Sequence, residues 1–431
     1  LNRQILKLAF PNIISNITIP IVGLIDISLV GRLGSSSHIG GVGFGTMVFT
    51  LIYTGLIFLR MGTTGLTAQA YGASDYRETS SVLVRALFIA FFAGLLLILL
   101  QIPIERFLIS VLNGSPHSLS FASEYFFTRI YAAPATLAVF AFLGWFIGMQ
   151  NTKIPMYVTI IISITNAGFS AYFVLIAHLG VKGVALGTVI SQYIGLVACI
   201  LFFLFKFKRS SYFVNLVSVL KIKEIRRFFS VSRDIFIRSM LLTGSFFLFN
   251  AVSASLGDDV LALNSVMLQF LWFFAHVADG LAYAGGTLAG RYKGNKNTKL
   301  LKLTVTKSAY LGFIIALIFT VIYLFAASPA FSILTNNVNV LGLLKNYIFW
   351  IWLMPLAGFA AFIYDGIYIG ITATSIQRNV MIVVILAVFV PLLFILKNYY
   401  GNHGMWTAII IMLVLRGLGL RVFLGKALRT N

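Results

Sequence analysis

"AQAYGASD" at residues 68–75 returns, altered, as "AGRYKGNKN" at residues 289–297. The two stretches lie about 221–223 residues apart, and other short matches keep that spacing. "LGSSSHIGG", starting at Leu33, pairs with "LGDDVLALN", starting at Leu256, while Pro134 and Gly148 pair with Pro355 and Gly370. One unit has been written twice, so what the first half folds into, the second half is expected to repeat.

What that unit is follows from composition. Of the 431 residues 59% are apolar and only 10% charged, with a mean hydropathy of +0.97, whereas soluble domains carry about 25% charged residues. Apolar runs longer than the ~18–20 residues that cross a bilayer recur along the whole chain and lack the alternation of strands, which predicts a helical bundle rather than a barrel. Bounded by polar and turn residues, the runs number about twelve, near residues 5–30, 39–70, 80–102, 118–149, 154–177 and 184–205, then 232–255, 260–290, 303–326, 341–371, 380–396 and 405–424. Six runs return the chain to its starting side, so the copies are related by an axis along the membrane normal. The expectation is an all-α polytopic membrane protein with twelve transmembrane helices in two pseudo-symmetric six-helix lobes facing a central cleft. The lobes are expected at 1–208 and 231–431, with a cytoplasmic interfacial linker at 209–230. There Phe213, Leu216, Val217 and Leu220 recur at helical spacing, and Lys221, Lys223, Arg226 and Arg227 crowd the end.

The formal net charge of +21 would suggest nucleic acid in a soluble protein. Here Lys and Arg lie between apolar runs, where they set topology, and no nucleic-acid partner is expected. Arg3, Lys7, Arg77, Arg85, Lys153, the segments 206–233 and 291–307, Arg378, Arg421, Lys426 and Arg429 share one side of the twelve-span arrangement. The opposite loops hold only Arg32, Arg106, Lys182, Lys345 and Lys397. Both termini are therefore expected in the cytoplasm, the chain crossing the cell inner (plasma) membrane many times. The single cysteine, Cys199, excludes an intrachain disulfide, and the histidines show no ligand spacing, so no metal site is expected. No phosphate loop, zincin pair or nucleophile elbow is present, so neither an enzyme nor an ATP-driven pump is expected, and no cofactor.

The eleven acidic residues sort by place. Asp75, Glu78, Glu224, Asp234, Asp258 and Asp259 are expected in loops or at helix ends, and Glu105 and Glu124 near the outer interface. Asp26 in "GLIDISLVGRLG" (residues 23–34), Asp279 in "ADGLAYAGG" and Asp365 in "YDGIYIG" lie well inside apolar runs. A carboxylate at the bilayer centre costs about 2.5–3.5 kcal/mol even on lenient insertion scales, so such a residue is a functional-site hypothesis. A carboxyl group that gives up a proton when it takes a cation can couple the movement of the two. Asp279 and Asp365 each precede Gly, and a structural part in satisfying loosened backbone stands beside the functional one. His276, three residues before Asp279, shares its helical face. Arg60 reads as a lone intramembrane cation that pairs with an aspartate or reaches for the interface. Pro20, six residues before Asp26, would permit a bend near the carboxylate.

In order along the chain, "GLIDISLVGRLGS", "LRMGTTGLTAQAYGA", "GMQNTKIPM", "LGVKGVALGTVIS", "VADGLAYAGG" and "FIYDGIYIGIT" resemble the MATE (multidrug and toxic compound extrusion) family, and within it the DinF-like branch. The resemblance covers essentially the whole chain. It implies a V-shaped pair of six-helix lobes that exports organic cations and amphiphilic compounds in exchange for H+, with Na+ as the other coupling ion. The expected partners are small-molecule organic cations, amphiphilic drugs and membrane lipids, and the expected state is a monomer. The family's first-helix aspartate falls on Asp26, and its fifth-helix asparagine and sixth-helix threonine on Asn166 and Thr188, which the resemblance makes the coupling set. Asp279, Asp365 and Asn264 fall on the matching positions of the second half, where substrate binding is expected.

Two departures stand out against that pattern. Many relatives have aspartate where this chain has Ser170, and DinF-like chains often have glutamate where Gly286 stands. A site with one carboxylate favours H+ over Na+, since a cation site collects several oxygen ligands and more negative charge. The expected cycle is alternating access, in which a proton from outside neutralises Asp26, the first helix repacks and the drug leaves outward. The alternative in the same superfamily, a lipid-linked oligosaccharide flippase, would favour a strongly basic cleft, whereas the intramembrane candidates here are acidic.

Overall fold

The computed structural model describes residues 1–32, 35–111, 114–207, 222–335 and 337–429. Among them the chain is helical. The first six spans are Asn2–Gly31, Ser36–Leu56 with Phe58–Gly72, Tyr76–Leu99, Pro116–Arg129 with Ala133–Gly148, Lys153–Ala171 and Gly180–Lys206. The second set runs Ile222–Ala254, Asp258–Gly294, Thr298–Leu334 and Val338–Gly370, then on from Thr374 to Arg429. Eleven stretches are long and apolar enough to cross a bilayer, and the last, 56 residues long, is two spans folded at Gly401, whose φ of 54° and ψ of −132° suit only glycine. The twelve expected spans are thus present.

The internal repeat is legible in the backbone. Left-handed residues stop helices at Ser74 and again at Lys296, and at Gln150 and again at Thr372. After the first pair the next helix is started by a side-chain cap: Asp75 Oδ1 accepts from the Glu78 amide at 2.9 Å, and Asn297 Oδ1 from the Leu300 amide at 3.0 Å. The two stretches that open the sequence reading are therefore one turn built twice, a left-handed stop followed by an Asx cap. Close helix crossings repeat as well. A Cβ on Gly144 would sit 2.3 Å from the Arg60 carbonyl oxygen and one on Gly148 2.6 Å from Thr67 Cβ, so spans two and four meet backbone to backbone. Their repeats, Gly366 and Gly370, would place a Cβ 2.3 Å from the Ala282 oxygen and 1.9 Å from the Gly286 oxygen, pressing spans eight and ten together in the same way. The glycine at 286 follows from this crossing, which leaves no room for a glutamate side chain.

The chain divides into two compact units, Ile14–Ser232 and Arg233–Asn431 together with Leu1–Ile13. In the second unit, Ile5 and Ala9 of the first helix join a core that includes Leu281, Ala284 and Leu288. In the first, Phe228 packs with Leu59, Leu66 and Val82. Spans one and seven each start in one unit and continue in the other. Large apolar side chains such as Phe205 and Phe325, both 81% exposed, stay on the outside, as helices bathed in hydrocarbon allow.

Several local expectations are corrected. Asp234 is not at a helix end: it is buried inside Ile222–Ala254, 2.6 Å from Arg378 Nη1 and accepting a hydrogen bond from Thr374. The basic end of the expected interfacial linker lies in the first turns of span seven, where Lys223, Arg226 and Arg227 are exposed. The rest of the proposed interfacial pattern, Phe213 to Lys221, lies outside the described residues. Arg60 is not alone, because Arg129, Arg238 and Arg416 also lie within spans. One arginine among some twenty apolar residues does not interrupt a run, so these cations were passed over. Residues 103–111, expected as loop beyond the third span, belong to the helix Gln101–Val111, with Ile102 and Phe107 exposed. The first span stays helical through Pro11 and Pro20.

Candidate functional site

In the unit Ile14–Ser232 the fifth and sixth spans are joined through Asn166, whose Nδ2 donates to Thr188 Oγ1 at 3.0 Å, while Thr188 donates to the Val184 carbonyl at 3.2 Å. This brings together two of the three residues assigned to coupling. One turn after Asn166 stands Ser170, fully buried where the spans cross: a Cβ on Gly187 would lie 2.4 Å from its Oγ. The third residue, Asp26, is half-buried in the first span with the Ser170 hydroxyl beside its carboxylate. No hydrogen bond reaches its Oδ1. Asp26 Oδ1, Ser170 Oγ and Asn166 Oδ1 are all buried without a partner. Unsatisfied buried oxygens of this kind are costly, and a carboxylate among them is poised to take a proton or a cation.

A cation faces this carboxylate from the fourth span. Arg129 ends the segment Pro116–Arg129, where the helix yields to a tighter turn, Ile130–Ala132, because Pro134 has no amide hydrogen to continue the ladder. The open carbonyls of a helix C-terminus favour a positive side chain. Arg129 Nη1 donates to Tyr125 Oη at 2.6 Å, and its guanidinium carbon lies 4.8 Å from the Phe49 ring centre. It is within electrostatic reach of Asp26 and Tyr53.

In the other unit Asp365 is enclosed by two arginines. Its Oδ2 accepts from Arg416 at 2.8 Å and Arg238 at 3.0 Å, and its Oδ1 from Gln377 at 3.0 Å. Asp279, half-buried, feels both arginines. Asn264 is wholly buried elsewhere in the unit. It donates to Ser253 Oγ and Asn402 Oδ1 and accepts from Asn402 and Trp406, tying spans seven, eight and twelve, and bonds to neither aspartate. Among the described residues no group of three His, Cys, Asp or Glu side chains converges on a metal position. Arg129, Arg238, Arg416, Tyr53 and Tyr125 are not among the sequence-derived candidates. A polar residue in the middle of an apolar run, the signal that marks Arg60 and the three aspartates, is what could find them.

Comparison with known proteins agrees with this architecture. The MatE family profile matches residues 11–172 and again 235–395, one match in each copy of the repeat. The chain is 34% identical over 420 residues to DNA damage-inducible protein F of Escherichia coli, covering 97% of this chain and 91% of that one. It is 24% identical over 436 residues to the probable multidrug resistance protein NorM of Thermotoga maritima, covering 96% and 90%. In fold it resembles the bent form of the Vibrio cholerae MATE transporter VcmN, with a TM-score of 0.88 over 99% of this chain and 97% of that one at 16% identity. The protein belongs to the MatE family of membrane transporters.

Proposed function

We propose that the protein is a secondary active antiporter that exports organic cations and amphiphilic compounds in exchange for H+ by alternating access, with Asp26 as the coupling carboxylate. The observation that carries this reading is the buried, unpartnered Oδ1 of Asp26 beside the equally unpartnered Ser170 hydroxyl. Ionised, this carboxyl attracts a cation strongly in a medium that screens charge poorly. Protonated, it loses that attraction, so proton and cationic substrate exclude each other, which is what exchange requires. Arg129 argues for H+ over Na+ as the coupling ion, because a neighbouring guanidinium repels a metal cation, whereas a proton binds covalently and removes the charge instead of adding one beside it. Relatives named for multidrug resistance and export support drug-like substrates.

In the second unit Asp365 and Asn264 are engaged by neighbouring side chains, and Asp279, half-buried in the eighth span, is the carboxylate we assign to substrate there. The basic loops orient both termini to the cytoplasm. The membrane potential contributes about 2.3 kcal/mol per transported charge per 100 mV.

Binding of ethidium, a fluorescent organic cation, to the full-length protein in nanodiscs tests the exclusion directly. Affinity is expected to fall at least tenfold between pH 8 and pH 5, and Asp26→Asn to bind weakly with no pH dependence. Binding by Asp26→Asn that still weakens with acid would contradict the assignment.

A further inference from the structure

In the exchange as described Arg129 only disfavours a metal ion, yet its surroundings are specific. Its Nη1 is held by Tyr125 Oη at 2.6 Å, and its guanidinium carbon lies 4.8 Å from the centre of Phe49 and 5.4 Å from that of Tyr125. Its Nε is buried and donates to nothing. Asp26, within electrostatic reach, has a buried carboxylate oxygen that accepts nothing, and no ion pair joins the two. An arginine with a free buried Nε and a carboxylate with a free buried oxygen ordinarily pair when they are neighbours. Here the phenol and the aromatic faces hold the cation back.

The repeat shows that the fold does not require this arrangement. At the positions of the second copy that match Asp26 stand Phe247, Leu248 and Phe249, and at those matching Arg129 stand Trp350, Ile351 and Trp352. The match of Tyr125, Tyr347, survives but stacks on His403 with ring centres 4.3 Å apart. The carboxylate and the guanidinium occur together in one copy only, as expected of a functional pair rather than a folding device.

We propose that Arg129 is a positioning residue for coupling: a tethered cation, held in reserve by Tyr125 and Phe49, that takes the Asp26 carboxylate when neither proton nor cationic substrate occupies it. The proposal rests on Asp26 being the coupling group and adds how that group is regulated. The groups that act on Asp26 are Arg129 from the fourth span and the Ser170 hydroxyl from the fifth, while Tyr125 from the fourth span and Tyr53 from the second act on Arg129. In the unloaded carrier the guanidinium swings onto the carboxylate, so no bare charge is left in an apolar setting. A substrate cation must displace it, and a proton on Asp26 releases it to the aromatic grip, the arrangement seen in the structure. An intramolecular competitor of this kind sets how acidic Asp26 is and how readily it yields to substrate.

Infrared titration of the full-length protein in lipid bilayers reads this without a substrate, the carboxylic acid stretch of Asp26 being identified by its loss in Asp26→Asn. Arg129→Gln is expected to move the titration midpoint to higher pH by about one unit or more, a tenfold change in proton concentration, and Arg129→Lys to restore it. Tyr125→Phe, which frees the guanidinium to approach Asp26, is expected to move the midpoint the opposite way. A packing role would give no such pair of opposite shifts. Unchanged midpoints in Arg129→Gln and Tyr125→Phe would overturn the proposal, and either variant serves alone if the other does not fold. Proton-driven transport by Asp26→Asn would instead overturn the coupling assignment, leaving the infrared result to stand for itself.

Discussion

At the scale of single residues, magnitudes separate two kinds of intramembrane polar group. Asp365 is satisfied three times over, by Arg238, Arg416 and Gln377, so its neutral replacement Asp365→Asn leaves two buried guanidinium groups short of a counter-charge. Breaking one side of such a network costs about 3–5 kcal/mol, and thermal unfolding in detergent is expected to show a large loss of stability. The four hydrogen bonds of Asn264 are each worth about 0.6 kcal/mol on average in membrane proteins, so Asn264→Ala is expected to cost less, about 2 kcal/mol. Equal stability of Asp365→Asn and wild type would show that the arginines find other partners. Asp26 presents the opposite case, an acid with an oxygen left unsatisfied, for which we propose a part in transport rather than in stability. The three acids were legible in sequence because a carboxylate in an apolar run is conspicuous. Their partners were not, since which side chain meets which depends on helix rotation and crossing, and one arginine changes the apolarity of a run too little to be noticed.

At the scale of elements, the helix crossings depend on glycines. A Cβ at Gly370 would stand 1.9 Å from a backbone oxygen, which cannot yield as a side chain can, so Gly370→Leu is expected to prevent folding or to separate spans eight and ten. Gly342, in the same helix, has open space where its Cβ would lie, and Gly342→Ala is expected to be neutral or to stabilise by about 0.5–1 kcal/mol. The yield of monodisperse protein after detergent extraction checks both, and a well-behaved Gly370→Leu would refute the tight crossing. The repeated turns at 68–75 and 289–297 were legible because a helix stop and an Asx cap leave characteristic residues. The interruptions at Ile57 and at Ile130–Ala132 were not, because the hydrophobic run passes through them unbroken. Only Pro134 marked the second of these, and Pro11 and Pro20 show that proline in a span does not always break a helix.

At the scale of the whole molecule, hydropathy and the offset between halves were enough to read twelve spans in two copies, because both are sums over many residues and tolerate local error. The crossing of spans one and seven between the two compact units was beyond that reading, since it depends on which core each turn joins rather than on how apolar it is. Asp26 lies in a helix that starts in one unit and continues in the other, so a change of charge there acts on an element both units share. We propose that this residue ties substrate movement to H+. The most direct test is ethidium efflux from proteoliposomes carrying an imposed proton or sodium gradient, with wild type beside Asp26→Asn shown to be folded by its unfolding temperature. The proton gradient alone is expected to drive the wild type, and Asp26→Asn to be inactive. Transport driven by sodium, or undiminished proton-driven transport by Asp26→Asn, would contradict it.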